Sequence, residues 1–380
     1  MRYLIVLMLF PSFVLGQSIS GYSGVVEDGS VITITGSGFG ADGPTIVLFD
    51  NFQRGTGGDY VTTSANVGAW SWIHPVYRTK YVDEGNGNIA AVSVDSLMHQ
   101  MRVVFADSGS SSIFMSYKMK VPAGKHFPYT FAEDSLSSDN AIKATWLMDG
   151  PSGEISSNPD LVVPNWGNGS FWYLHSNDAG VAGSGGPELG RLGTSSQWFG
   201  FTGTRWNLLS AALDASSTAF ASDGVVYFRG MSEEFGTKEF NFNDVVLANQ
   251  DNVAWDRCYF PGWTRDGDCS PGYAPCDGQA MLYYDEIYIA TGAAAKARVE
   301  IGDSSVYGSC TMMTICTPTG WSDTSIDVTV HNQTFASGED AYVFVVDAAG
   351  TVSGGYAVTI GASESASITA PTNLTATKVE

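Results

Sequence analysis

Short runs of alternating apolar and polar residues recur along the chain, each of strand length and set off by Gly, Ser, Asn and Asp. The clearest are "VITITG" (31–36), "TIVLF" (45–49), "NIAAVSVD" (88–95), "QMRVVFAD" (100–107), "SSIFMSYKMKVP" (111–122) and "AIKATWLMDG" (141–150). "GSFWYLHSND" (169–178), "RWNLLSAALD" (205–214), "DGVVYFRGM" (223–231) and "YYDEIYIATG" (283–292) continue the series. No window of about 12 residues or more sustains a helical period. The pattern predicts an all-β chain built from sandwiches or barrels.

One apolar run breaks the pattern. Arg2 precedes an apolar stretch from Tyr3 to Leu15, and Gly16 follows. This reads as a cleaved secretion signal over residues 1–16, with Gln17 as the mature start. The run is shorter than the roughly 20 apolar residues of a membrane span. No later stretch has that length, so a secreted, soluble protein is expected.

Two separated stretches carry a family resemblance. Thr33-Ile34-Thr35-Gly36-Ser37-Gly38-Phe39-Gly40 resembles the opening strand and glycine turn of an IPT/TIG domain, a small immunoglobulin-like sandwich. The family's second half does not follow directly. It is matched by "ARVEIGD" (297–303), "TPTGWSDTSIDVTV" (317–330) and the hairpin "AYVFVVDAAGTVSGGYAVTIG" (341–361). The resemblance implies a small sandwich split into residues 17–49 and 296–361. Ile32 and Ile34 should then pack with strands around Val328 and Phe344.

The interrupting segment, residues 50–295, has its own signature. The D-N-F opening at Asp50, the run from Trp206 to Phe228 and the D-E-I-Y-I end at Asp285 are similar to a concanavalin A-like jelly roll. That fold houses lectins, glycosidases and polysaccharide lyases. Residues 362–380 read as a linker and the start of a fibronectin type III-like module. The expected fold is therefore a jelly roll inserted into a small immunoglobulin-like sandwich.

Composition narrows the function. The net charge is −21, from 18 Lys+Arg against 39 Asp+Glu. This argues against nucleic acid, whose phosphates need basic surfaces. Charged residues are only 15% of the chain and aromatics 12%, a mix suited to an extracellular β protein. Five cysteines lie between residues 258 and 316. In an oxidising compartment, Cys310 and Cys316 are expected to pair, as are two of Cys258, Cys269 and Cys276.

Several catalytic signatures are absent. There is no E-x-D-x-x-E strand of the kind that sets two glycosidase carboxylates about 5 Å apart. The G-x-S-x-G, H-E-x-x-H and phosphate-loop motifs are missing. So are the three motifs of family 7 alginate lyases, although "YFRG" (227–230) echoes one of them.

Strand alternation gathers a different set. Lys118, Lys143, Tyr173, His175, Tyr227 and Arg229 sit at polar positions of their strands, where one concave sheet could present them together. Such a set suits a uronate polymer. Lys118 and Arg229 would neutralise the carboxylate, and Tyr173 or His175 would move the C5 proton. Lys143, Tyr227, Trp166 and Trp172 would contact sugar rings. The competing reading is an ordinary solvated sheet face. Trp70, Trp72, Trp198, Trp255 and Trp263 also lie near loops, whereas Trp146, Trp206 and Trp321 read as core. Asp266 and Asp268 in the cysteine-bearing loop would suit calcium, with a disulfide-braced structural loop as the alternative; no other cofactor is implied.

These observations lead to a secreted or surface protein that recognises an extracellular polysaccharide, alone or alongside further modules or cell-surface components. Cleavage of a uronic-acid polymer by β-elimination is the alternative function, and a purely structural surface role is the third.

Overall fold

The computed structural model describes residues 16–75, 78–85, 87–93, 101–105, 109–120, 143–148, 161–165, 175–176, 206–218, 221–232, 236–246, 254–260, 282–332 and 334–363. The chain is all-β. Among the described residues the one helical element is a 3-10 turn at Tyr307–Ser309. No helix there is long and apolar enough to cross a membrane.

The strands run in chain order as follows. β1 (Ser18–Ser23), β2 (Val31–Ser37), β3 (Thr45–Asp50), β4 (Val67–Gly68), β5 (Trp72–Ile73), β6 (Lys80–Gly85), β7 (Asn88–Val92), β8 (Met101–Val104) and β9 (Ser112–Lys120) come first. β10 (Lys143–Met148), β11 (Leu161–Asn165), β12 (His175–Ser176), β13 (Asn207–Asp214), β14 (Ser222–Ser232), β15 (Gly236–Val246), β16 (Arg257–Phe260) and β17 (Tyr283–Thr291) follow. β18 (Arg298–Gly302), β19 (Met313–Trp321), β20 (Ser325–Thr329), β21 (Asp340–Val346) and β22 (Tyr356–Thr359) close the series.

Three sheets result. A nine-stranded middle sheet runs β15-β14-β13-β9-β17-β3-β4, with β7 and β6 joined beside β17. A six-stranded outer sheet runs β12-β11-β10-β16-β8-β5. A seven-stranded cap sheet runs β1-β2-β20-β19-β18-β21-β22. Between β3 and β17 the chain crosses repeatedly between the middle and outer sheets, the winding of a jelly roll.

Alternation explains the main core. In β9, Ile113, Met115, Tyr117 and Met119 point one way. They meet Met101, Val103, Leu147, Cys258 and Phe260 of the outer sheet. Each large side chain buried there contributes about 1.5–3 kcal/mol. The opposite face of the middle sheet is also covered. Phe49, Phe114, Ala212 and Tyr288 pack with Ala295 and Ile315, the latter on the cap sheet.

The two distant motifs meet in the cap sheet. Ile32 pairs with Val328 and Ile34 with Ile326. Both isoleucines are buried with Val343 and Val345. Phe344, the intervening residue, turns to the other side and packs with Met231 and Met313. The W-S-D-T-S segment grips the glycine turn: Phe39 N–H donates to Asp323 O at 3.1 Å, and Gly40 N–H to Asp323 Oδ1 at 3.1 Å. Trp321 Nε1 donates to Phe39 O at 3.3 Å. Gly36 is required by close approach, because a Cβ there would lie 2.1 Å from Ser18 O.

Two expectations are corrected. Thr45–Phe49, read as part of the small sandwich, lies in β3 and pairs with β17 of the middle sheet. Its Leu48 and Phe49 face the two opposite cores of that sheet, so it is buried on both sides. The expected Cys310–Cys316 bridge is absent, and both are free thiols. Cys316 lies in the cap-sheet core with Val328 and Val343, whereas Cys310 packs with Met231 and Phe344. Burial pushes their thiols up, Cys310 to about 11 and Cys316 to about 12. Cys258 is also a free, buried thiol, and Cys269 and Cys276 lie outside the described residues.

Candidate functional site

The outer sheet has one face committed to the sandwich core. Alternation therefore sends the intervening residues of its strands the other way. Antiparallel register lines them up. Trp146 pairs with Tyr259, Tyr259 with Arg102, and Arg102 with Trp72. This makes one transverse row, Trp146–Tyr259–Arg102–Trp72, across four strands. Arg257 lies two residues before Tyr259 on the same face, opposite Met148 and Val104.

The row is braced at its ends. The Arg102 guanidinium lies 5.7 Å from the Trp72 ring centroid, and the Trp72 and His74 rings meet edge to face at 5.2 Å. Arg102 Nε has no hydrogen-bond partner among the described residues. Arg257 Nε and Nη2 donate to the two Asp256 carboxylate oxygens at 2.6 and 2.8 Å. Hydrogen bonds to Asp256, and next to Tyr259, hold the Arg257 guanidinium above its usual range, so it stays charged. Burial lowers the His74 imidazole below its usual range, which favours the neutral, proton-accepting form.

The chemistry available follows from these types. A guanidinium pairs with a planar carboxylate through parallel hydrogen bonds. A phenol or a neutral imidazole can take and return a proton. Indole faces stack on sugar rings. Among the described residues no group of three or more His, Cys, Asp or Glu is arranged to hold a metal.

The sequence-predicted residues are divided between two sheets. Lys118, Tyr227 and Arg229 share a face of the middle sheet, but this is the face that the cap sheet covers. The Arg229 side chain is buried, 4.0 Å above the Tyr307 ring, and donates to Tyr307 O at 2.8 Å. Its Nε also lies 3.2 Å from Glu239, without the alignment of a hydrogen bond. Tyr227 donates to Glu239 Oε1 at 3.1 Å, and burial raises its phenol well above the usual range. Lys118 is ion-paired with Glu286 and hydrogen-bonded to Thr334.

Lys143 and His175 belong to the outer sheet instead. Lys143 pairs in register with Asn165, and His175 with Val162, which itself pairs with Trp146. His175 thus sits at the end of the same transverse row. Tyr173, Trp166, Trp172, Asp266 and Asp268 lie outside the described residues.

Arg102, Tyr259 and Arg257 were not singled out from sequence as a site, and Trp72 was named only among the loop tryptophans. The signal was present in "QMRVVFAD" and "DRCYFP", where polar or aromatic residues alternate with Met101, Val103, Cys258 and Phe260. Trp146, read as core, is buried, although alternation turns it away from the face of Leu147. Trp206, also read as core, is only half-buried.

No protein-family model and no curated protein matches the chain. Among solved structures it is similar to a PL-14 alginate lyase from Aplysia kurodai, at 13% identity over 65% of this chain and 100% of that one, with a TM-score of 0.45. An endo-β-1,4-glucuronan lyase from the fungus Trichoderma reesei aligns at 12% identity over 63% and 98%, with a TM-score of 0.41. An alginate lyase from a Chlorella virus aligns at 12% identity over 57% and 90%, with a TM-score of 0.36. The functional reading therefore rests on the residues of this chain.

Proposed function

We propose that the chain is a secreted polysaccharide lyase that acts on a uronic-acid polymer at the transverse row of the outer sheet, where Arg102 and Trp72 are half-buried and Tyr259, Trp146 and Arg257 are buried. The observation that carries this is the register row Trp146–Tyr259–Arg102–Trp72, with Arg257 beside Tyr259. In β-elimination the C5–H bond of a uronate breaks, a C4–C5 double bond forms, and the C4–oxygen bond is cleaved. The electron pair leaves with that oxygen, which takes up a proton. Arg102 pairs with the uronate carboxylate, where negative charge grows as the proton departs. Tyr259 lies opposite it and transfers the proton, with the Arg257 charge held nearby. Trp72, half-buried at the end of the row, gives the polymer an apolar face.

The acidic protein repels a polyanion over most of its surface. Arg102, half-buried on the outer sheet, is then the local positive charge that makes this face competent for it. Alginate, polyglucuronate, polygalacturonate and ulvan are the substrates to offer, with ultraviolet absorbance of the unsaturated uronate product as the readout. Absorbance should rise on at least one polymer and be lost in Tyr259→Phe. No rise on any of them rejects the lyase reading. Binding of such a polymer without turnover would instead fit non-catalytic glycan recognition by the same row.

A further inference from the structure

A second site lies on the other side of the middle sheet, where the cap sheet meets it. A cavity of about 240 Å³ opens there. One wall is the half-buried Trp206 with Leu208 and Met231; another is Met312 and Met313 from the cap side. Its floor is polar: Lys118, Asn88 and the consecutive carboxylates Asp285 and Glu286.

The floor is built by a distortion of β17. The pairing of β17 with β9 slips between Asp285 and Tyr288, and Glu286 is forced to a φ of 47°. A non-glycine residue held there is strained, and such strain together with a bulge is found where a strand must re-aim a side chain. The bulge brings two adjacent carboxyl groups to one cavity, although alternation would have separated them. Burial, and then the neighbouring Glu286, push the Asp285 carboxyl up to about 8.

The hydrogen bonds leave capacity over. Asp285 accepts from Glu286 N–H at 2.8 Å and from Asn88 Nδ2 at 3.2 Å. Glu286 is ion-paired with Lys118 and lies 2.8 Å from the Thr314 hydroxyl. Two carboxyl groups offer more acceptor sites than these donors fill. On the wall, Lys120 Nζ lies 4.8 Å from the Trp206 ring centroid and also pairs with Glu84, which fixes the indole.

We propose that this cavity binds one neutral, polyhydroxylated ring, a pyranose unit of a glycan, stacked against Trp206 with its hydroxyls donated to Asp285 and Glu286. Charge decides the class. A uronate would meet the Glu286 carboxylate, and an ammonium ligand would meet Lys118. A neutral ring that donates hydrogen bonds meets neither conflict. Size sets the number of units, because the cavity is smaller than the roughly 300–1,000 Å³ pockets that enclose larger ligands. A Lys118–Glu286 pair that only tied the sheets together would need neither the open wall nor Asp285. The site is independent of the outer-sheet row, so either can fail without the other.

The test is saturation-transfer NMR and calorimetry on the full chain with methyl glycosides of glucose, galactose and mannose, and with sodium glucuronate. At least one neutral glycoside should bind saturably at a one-to-one ratio. Trp206→Ala should weaken that binding tenfold or more. Met312→Trp, which fills the cavity without removing a polar group, should abolish it while the thermal melt stays cooperative. A uronate oligomer should not displace the neutral sugar. Failure of all three neutral glycosides to bind overturns the proposal. Binding that survives both variants, or glucuronate binding as well as the neutral sugars, overturns it too.

Discussion

The two faces that flank the sandwich core carry similar residue types and different fates. On the middle sheet, Lys118, Tyr227 and Arg229 look from sequence like a basic, aromatic binding surface. Each is taken up by a neighbour: Lys118 by Glu286, Tyr227 by Glu239, and Arg229 by the Tyr307 ring and carbonyl. On the outer sheet, Arg102 has an Nε with no hydrogen-bond partner among the described residues, and it lies opposite Tyr259. A cation on a strand is therefore a poor guide to function until the covering layer is known. The covered face spends its charges on cohesion between sheets, whereas on the outer face Arg102 lies against the Trp72 ring and Arg257 against its neighbour Asp256.

Substitution can break this comparison. The largest effect should come from the outer row: Arg102→Ala should lower turnover of the preferred uronate polymer about 100- to 1,000-fold, with little change in the melting temperature. Steady-state absorbance kinetics beside a thermal melt would show it, and an unchanged rate would transfer the chemistry elsewhere. On the covered face the pattern should reverse. Lys118→Met leaves the buried Glu286 unpaired and should cost about 3–5 kcal/mol in urea unfolding, with turnover per folded molecule retained. Lys118→Met combined with Glu286→Gln should cost less than the two single changes added together.

Two further effects sharpen the contrast. Trp72→Ala should raise KM a few-fold and leave kcat nearly unchanged, as expected for the loss of stacking worth about 0.5–1.5 kcal/mol. A further effect is a pH slope. An unfolded aspartate ionises near pH 4, whereas Asp285 keeps its proton to about 8 in the folded chain. Between these values the unfolded state binds fewer protons, so this group's contribution makes stability fall as pH rises from about 4 to about 8 and level off above. Asp285→Asn should flatten that part of the stability profile. An identical profile would mean that Asp285 ionises normally.

Local patterns were the legible part of the chain. The alternation around Met115 and Tyr117 marks a strand with one apolar face. The glycine turn at Gly36–Gly40 and the W-S-D-T-S segment point to each other across the chain, because the backbone of one is shaped to receive the bonds of the other. Layer assignment was not legible. Nothing local to Lys118 or Arg229 says that a cap sheet will cover them, since the covering residues, such as Tyr307 and Met313, are some 80 or more positions away. Nor does "YYDEIYI" announce a bulge at Glu286, because the slip depends on the pairing with β9. The outer row was hidden for a related reason. Trp72, Arg102, Trp146 and Tyr259 are scattered in sequence and become a site only through antiparallel register.

The most direct test of where the chemistry resides is hydrogen–deuterium exchange on the Tyr259→Phe protein with and without a uronate tetrasaccharide. The account predicts slowed exchange in peptides covering Met101–Val104 and Arg257–Phe260, with Ser112–Lys120 and Tyr283–Thr291 unchanged. Protection confined to the latter two segments would place the uronate site on the covered face and contradict it.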